Sequence, residues 1–307
     1  MYLTGFADEA AADLDGQIRA TKELGWSNIE SRNIDAANIH DIPDAAFDEA
    51  CGKLEAAGVK INCFGSAIAN WGKKITDPFD VTAAEIDRAI PRMQRLGTKL
   101  IRIMSYAVLP DRGPDDQMVE ERFKRLREIV KRFSGAGITA VHENCANYGG
   151  MGWQYTVKML EEVPGLKLVF DTANPVGTRD YASGDPDTMQ STWEFYDHVK
   201  DHVVYVHIKD CRFLEVQPGE TFNKCEYTWP GEGDGDVKKV VGDLVDRGYD
   251  GGFSMEPHLG VVFHEEGSGT EDEARFRTYV EYGRRFMALL ADCGVDTSKL
   301  VKQQGQR

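Results

Sequence analysis

Eight short apolar runs, each followed by an amphipathic stretch, repeat from one end of this chain to the other. This alternation limits the fold more than any other feature of the sequence. The candidate strands are Tyr2–Phe6, Asn28–Ser31, Lys60–Phe64, Leu100–Met104, Thr139–Glu143, Leu166–Asp171, Val203–Lys209 and Gly252–Glu256. Helical patterns such as "TAAEIDRAIPRMQRLG" and "VEERFKRLREIVKRFSGAG" lie between them. Most stop at a glycine, the residue that best fills the left-handed position after a helix. Eight strand–helix units predict an α/β protein built as a (β/α)8 barrel, with residues 1–296 in a single domain and 297–307 a frayed C-terminal tail. A doubly wound sheet also alternates strands and helices. It announces itself by a glycine-rich phosphate turn after the first strand, and "GFADEAAADL" contains none.

Three long connections follow strands 3, 7 and 8: "SAIANWGKKITDPFD", "CRFLEVQPGETFNKCEYTWPGEGDGD" and "HLGVVFHEEGSGTED". In a barrel they rise from the C-terminal face, where ligands bind. In the second, "FLEV" and "TFNKCEYTW" flank "QPGE", a pattern for a hairpin that would cover the site.

The polar interruptions of the late strands form a set. Strand 5 ends in Glu143, strand 6 in Asp171, strand 7 carries His207 and strand 8 ends in Glu256. Neighbouring strands lie about 4.8 Å apart and alternate residues point into a barrel's lumen, so four inward side chains at one height would converge. Each residue alone has a plain structural reading. Asp171 before "TANP" suits a turn, His207 a hydrogen-bonded core position, and Glu256 an ion pair with an inner-wall arginine such as Arg102. Four on consecutive strands point instead to one divalent cation. Three carboxylates and an imidazole suit Mn2+ or Mg2+, with Co2+, Fe2+ and Zn2+ compatible.

Charge narrows the ligand. A formal net charge of -15 argues against a nucleic-acid partner, whose phosphates are held by clustered Lys and Arg. No apolar run approaches the roughly 20 residues of a membrane span. The N-terminus lacks the charged and apolar regions of a secretion signal. Six scattered cysteines without a C-x-x-C pair read as reduced thiols, so the expected location is the cytoplasm.

These motifs resemble the xylose-isomerase-like sugar isomerases and epimerases, a family that includes ketose 3-epimerases, hydroxypyruvate isomerases and inosose dehydratases. The likeness runs from "IRATKELGWSNIESR", with Glu30, through "VHEN", "VFDTAN", "VHIKD" and "GEGDGD" to "GYDGGFSMEPH". It implies a divalent metal, most often manganese, at Glu143, Asp171, His207 and Glu256, with Glu143 and Glu256 doubling as acid and base. Chemistry supports the assignment. Moving a proton beside a ketone needs a base, an acid and stabilisation of the enediolate, which a chelated cation supplies. Two departures bear on substrate binding. The ketose epimerases have a histidine where Asn174 stands, and their substrate arginine lies further beyond the strand 7 histidine than Arg212 does.

Asn174, Lys209, Arg212, Trp71 and Trp153 are therefore the substrate-binding candidates, with Trp229 a further loop tryptophan whose ring suits a sugar face. Lys209 shares a face with His207 and is equally suited to an ion pair with Glu143 or Glu256. His142 and Asp210 face the other way, in structural roles. The loops carry few basic residues beyond Arg179, Lys209 and Arg212, which favours an unphosphorylated sugar or polyol. The expected activity is a metal-dependent isomerase or epimerase of a ketosugar or polyol-derived ketone. The alternatives are a lyase of the inosose dehydratase or oxidised-glycoside type, a DNA-repair endonuclease IV relative, which needs more strand-end histidines, and a non-catalytic sugar-binding protein. A homo-oligomer is compatible with all of them.

Overall fold

A computed structural model of the protein describes residues 1–185, 188–217, 220, 222–261 and 272–304. Eight parallel strands carry the architecture: β1 (Tyr2–Gly5), β2 (Asn28–Ser31), β3 (Lys60–Gly65), β4 (Leu100–Ile103), β5 (Thr139–Glu143), β6 (Lys167–Asp171), β7 (Val203–Ile208) and β8 (Gly252–Met255). The sheet runs β1-β8-β7-β6-β5-β4-β3-β2, and a parallel bridge between Phe6 and Glu30 brings its two ends together. The expected barrel is present, and each expected strand is found within a residue or two of its place.

Alternation divides every strand between two environments. Outward residues such as Ile101, Ala140, Phe170, Val206 and Phe253 join the main apolar cluster under the helices. Inward residues Cys63, Val141, Val169 and Tyr205 form a separate layer in the lumen. The helices meet the barrel through residues at helical spacing. Ile86, Ala89 and Met93 of Phe79–Leu96, and Phe123, Leu126, Val130 and Phe133 of Val119–Gly135, are all buried. Each of these side chains larger than alanine contributes about 1.5–3 kcal/mol on burial, and Phe133→Ala would cost about 3–5 kcal/mol. Gly97, at φ 72°, ends the first of these helices as expected.

The structure departs from the sequence reading in three places. The segment "DTMQSTWEFYDHVK" reads as a helical pattern from Asp187, but its helix begins at Thr192, because the Ser191 side chain accepts the Glu194 backbone N–H at 3.2 Å and caps it there; Asp187 itself lies outside the described residues. The expected frayed tail is helical over Thr297–Gln304: the Asp296 carboxylate accepts from Ser298 and Lys299, and Leu300 is buried. A small hairpin, Asn33–Ile34 with Ala37–Asn38, follows β2. Asp35 and Ala36 turn it at φ 50° and 66°, the geometry of a two-residue turn.

The hairpin after β7 is real, pairing Cys211–Glu215 with Lys224–Tyr227. The Pro218 and Gly219 of its expected turn, and 262–271 of the connection after β8, lie outside the described residues. No helix among the described residues is long and apolar enough to cross a membrane. The six cysteines are free thiols.

Candidate metal centre and substrate pocket

The inward stripe of each late strand is apolar below and polar at the rim, so Glu143, Asp171, His207 and Glu256 sit one step above the Val141, Val169, Tyr205 and Ser254 layer. All four are buried, and one donor atom from each lies within 4.8 Å of the others. His207 Nδ1 stands 3.7 Å from Glu143 Oε1, 3.9 Å from Asp171 Oδ2 and 4.0 Å from Glu256 Oε2.

Asp171 serves the turn with one oxygen and keeps the other aimed into the cluster. Its Oδ1 accepts the backbone N–H groups of Ala173 and Asn174, at 2.9 and 2.8 Å, and so starts the short helix Asn174–Gly177. Its Oδ2 and the His207 Nδ1 are buried with no hydrogen-bond partner; the Lys209 ammonium is 3.0 Å from that oxygen but out of alignment for a hydrogen bond. Buried polar atoms are rarely left so. Two ligands on one ion with bonds of about 2.0–2.2 Å stand at most about 4.4 Å apart. The three separations from His207 Nδ1 fall inside that limit, and the donor set suits a divalent cation.

Charge points the same way. Burial lowers the pKa of His207, but the Glu30 and Glu143 carboxylates outweigh it and hold the imidazole up at about 10. A proton and a cation compete for such a nitrogen. Burial raises Asp171 to about 6, with Lys209 only partly offsetting it. For Glu143, Arg102 and His207 overcome burial and bring it down to about 2. Glu256 is likewise held well below the carboxylate range, where Lys209, His258 and Arg32 outweigh burial.

The glutamates are gripped from outside the cluster. Glu143 accepts from Arg102 Nη1 at 3.0 Å and from Asn174 Nδ2 at 2.9 Å. Arg102 therefore serves Glu143 and not Glu256, a correction that follows from β4 lying beside β5. Glu256 accepts from Lys209 Nζ at 3.0 Å and Arg32 Nη1 at 2.8 Å. Arg32 also reaches Asp8 at 2.9 Å and Glu9 at 3.3 Å, with its guanidinium 4.4 Å from the Phe6 ring centre. Glu9 in turn accepts from the His258 backbone N–H at 2.7 Å. Beneath the cluster, Glu30 Oε2 meets Tyr205, Ser254 and His207.

Above the four converging side chains opens a cavity of roughly 210 Å³ whose wall includes Arg32, Asn70, Arg102, Asn174, Lys209 and His258. Trp71 and Phe222 roof it, packed edge to face at 5.9 Å. Three expected substrate residues, Asn174, Lys209 and Trp71, are thus at the pocket. Two are not. Arg212 sits on the outer face of the hairpin, half exposed, donating to the Glu232 carbonyl and paired with Glu226. Trp153 opens its helix and stacks on the His198 ring at 3.7 Å, an anchor between helices. Trp229 packs against Tyr282, beneath Arg285. His142 contacts Ser105 and Asn147 behind the strand, as its parity requires.

Asp210 organises the loop after the hairpin. Its carboxylate accepts the backbone N–H groups of Gly231, Gly233 and Gly235 at 2.8–3.0 Å. The approach is too close for any other residue: a Cβ on Gly233 would lie 2.4 Å from Asp210 Oδ1 and 2.6 Å from the Cys211 carbonyl oxygen.

Sequence reasoning passed over Arg32, Asp8, Glu9 and His258. Two signals were present: Arg32 lies two residues beyond Glu30 on the inward stripe, and "ADE" directly follows β1.

The sequence profile of the xylose isomerase-like TIM barrel matches residues 18–286. No curated protein sequence matches the chain. Solved structures share its fold at low identity. The IOLI protein, with a binding zinc atom, has a TM-score of 0.69 and 14% identity over 95% of this chain and 99% of its own. L-ribulose 3-epimerase has 0.64 and 16%, covering 98% and 97%. The probable 3-DHS dehydratase AsbF from Bacillus anthracis has 0.64 and 16%, covering 92% and 98%. With the profile spanning most of its length, the chain belongs to the xylose isomerase-like TIM barrel family.

Proposed function

We propose that the protein is a divalent-metal-dependent isomerase or epimerase of a ketosugar or polyol-derived ketone. The observation that carries the proposal is the convergence of His207 Nδ1 and Asp171 Oδ2, both buried without hydrogen-bond partners, on the carboxylates of Glu143 and Glu256. These four residues would hold the cation, with manganese, magnesium and zinc all suited to the set. When bound, it would supply Lewis-acid polarisation of the substrate carbonyl.

The protein's own groups account for the rest. Glu143 and Glu256 come from β5 and β8, the strands that flank β6 and β7, and reach within 3.7 and 4.0 Å of His207 Nδ1. One removes the proton beside the ketone and the other returns a proton. Delivery to the opposite face of the same carbon epimerises; delivery to the neighbouring carbon isomerises. Asn174 and Arg102 fix Glu143, while Arg32 and Lys209 fix Glu256, so both bases are oriented before substrate arrives. The Lys209 ammonium is positioned to donate to a substrate oxygen. Trp71 and Phe222 exclude water and offer ring faces to C–H groups. Arg32, Arg102 and Lys209 are each paired with carboxylates, which supports an uncharged, hydroxyl-rich substrate over a phosphorylated one.

A lyase is the second reading, since proton removal at the same carbon can expel a β-substituent, and both an epimerase and a dehydratase share this framework. The test is metal analysis of the purified protein, then a panel of ketosugars and inososes in D2O followed by NMR and mass spectrometry. Solvent deuterium at a substrate carbon without mass loss supports isomerisation or epimerisation; loss of water or an aglycone supports the lyase. In Glu256→Gln, exchange is lost while metal stays largely bound. Exchange that persists in that variant removes Glu256 from the reaction.

A further inference from the structure

Among the buried carboxylates with no part in the proposed reaction, Glu30 lies against a rim residue. Glu30, on β2, is fully buried in the lumen directly below His207. Its Oε2 accepts from Ser254 Oγ at 2.6 Å and Tyr205 Oη at 2.9 Å, and lies 3.1 Å from His207 Nε2. A carboxylate at this depth gives up its hydration and needs partners in return. Three polar groups from β7 and β8, aimed at one oxygen, offset part of that loss.

We infer that Glu30 is a positioning residue that locks His207 in the Nε2–H tautomer, so that the Nδ1 lone pair faces the cation site. An ionised carboxylate has no hydrogen to give, so the bond to Nε2 requires the hydrogen on the imidazole. Once a cation has displaced the second proton, the neutral ring would carry only one, which leaves Nδ1 as the ligating atom, and Nδ1 is the atom that points at Glu143, Asp171 and Glu256. Rotation of the ring is blocked on two sides by Phe6 and Tyr205, whose rings meet it edge-on at 5.0 and 5.7 Å. The hydroxyls of Tyr205 and Ser254 share the same Glu30 oxygen, so they temper how strongly Glu30 polarises the ring. A carboxylate behind a ligating histidine raises the basicity of the coordinating nitrogen. The inference rests on the metal reading of the four rim residues and adds what orients one of them.

Mn2+ titration by calorimetry into the metal-free, full-length protein, with 15N NMR of His207 in the Zn2+-loaded form, tests it. Glu30→Gln is expected to weaken Mn2+ binding about 10–100-fold and to move the His207 Nε2–H resonance upfield, with the thermal midpoint of the metal-free protein as control. Ser254→Ala keeps the carboxylate and removes one competing donor, so the same resonance is expected to move further downfield. That response is one a purely space-filling Glu30 would not produce. Mn2+ binding in Glu30→Gln as tight as in the unaltered protein, or an unmoved resonance in Ser254→Ala, overturns the positioning role alone. Failure of the unaltered protein to take up Mn2+ or Zn2+ overturns the metal reading and this inference with it.

Discussion

Replacing Arg32 with methionine tests the ion-pair frame behind Glu256. The guanidinium is the shared partner of Asp8, Glu9 and Glu256, all three nearly inaccessible to water. Removing one partner of a buried pair costs about 3–5 kcal/mol. Three carboxylates do not triple that figure, because Glu256 keeps Lys209 and Glu9 keeps the His258 backbone N–H. At an unfolding entropy of about 2.1 cal/mol/K per residue, a loss of 4 kcal/mol in a chain of 307 residues lowers the melting temperature by about 6 °C. The sign of the pH dependence follows from Glu256, whose folded pKa is depressed by Lys209, His258 and Arg32 against the upward push of burial. Such a group adds stability above its unfolded value of about 4.3 and loses it as pH falls through the folded value. The gap between the two proteins is therefore widest above about pH 5 and narrows as pH falls through the depressed folded value of Glu256. Urea unfolding followed by circular dichroism, with EDTA present, measures it. A gap below about 1 kcal/mol at pH 7, or one that widens as pH falls, refutes the assignment of Arg32 as counterion to this cluster.

Three further outcomes are expected. Burial holds His40 and His142 down at about 4, so the unfolded chain binds protons first as pH falls and stability declines between about 6.5 and 4, by up to about 3 kcal/mol for each. His40→Gln should flatten that decline in urea titrations, and an unchanged slope would contradict it. Gly233→Ala should destabilise the protein by about 1–3 kcal/mol through displacement of the Asp210 loop, read as a lowered melting temperature. Trp153→Ala should lower the melting temperature and Arg212→Ala should not, and both should leave KM for a turned-over ketosugar unchanged, whereas Trp71→Ala raises it.

The alternation of strands and helices is legible because it is local: an apolar run of four to six residues and a helical stripe each declare themselves within one segment. The four rim residues are legible for a related reason. Each interrupts the apolar inward stripe of its own strand, and strand order alone makes them neighbours. Arg32 is different. Its link to Glu256 spans 224 positions and exists only once β1, β2 and β8 meet around the ring. Nothing local in "ESRN" distinguishes a pocket arginine from a surface one. Arg212 and Trp153 were misplaced for the opposite reason, because loop and helix-start residues carry no period from which a direction can be read. The terminal helix was missed because its single buried anchor, Leu300, is too little apolar pattern to register.

The loop around Asp210 has a bearing on how this barrel can be re-engineered. Backbone N–H groups from three alternate glycines close on an anion, as successive N–H groups do in the nests that elsewhere grip a phosphate, but here the occupant is a side chain of the same polypeptide. The grip is saturated from within. A variant selected to act on sugar phosphates would have to recruit its phosphate donors elsewhere on the rim, or surrender Asp210 first and accept an inorganic anion as the loop's new keystone.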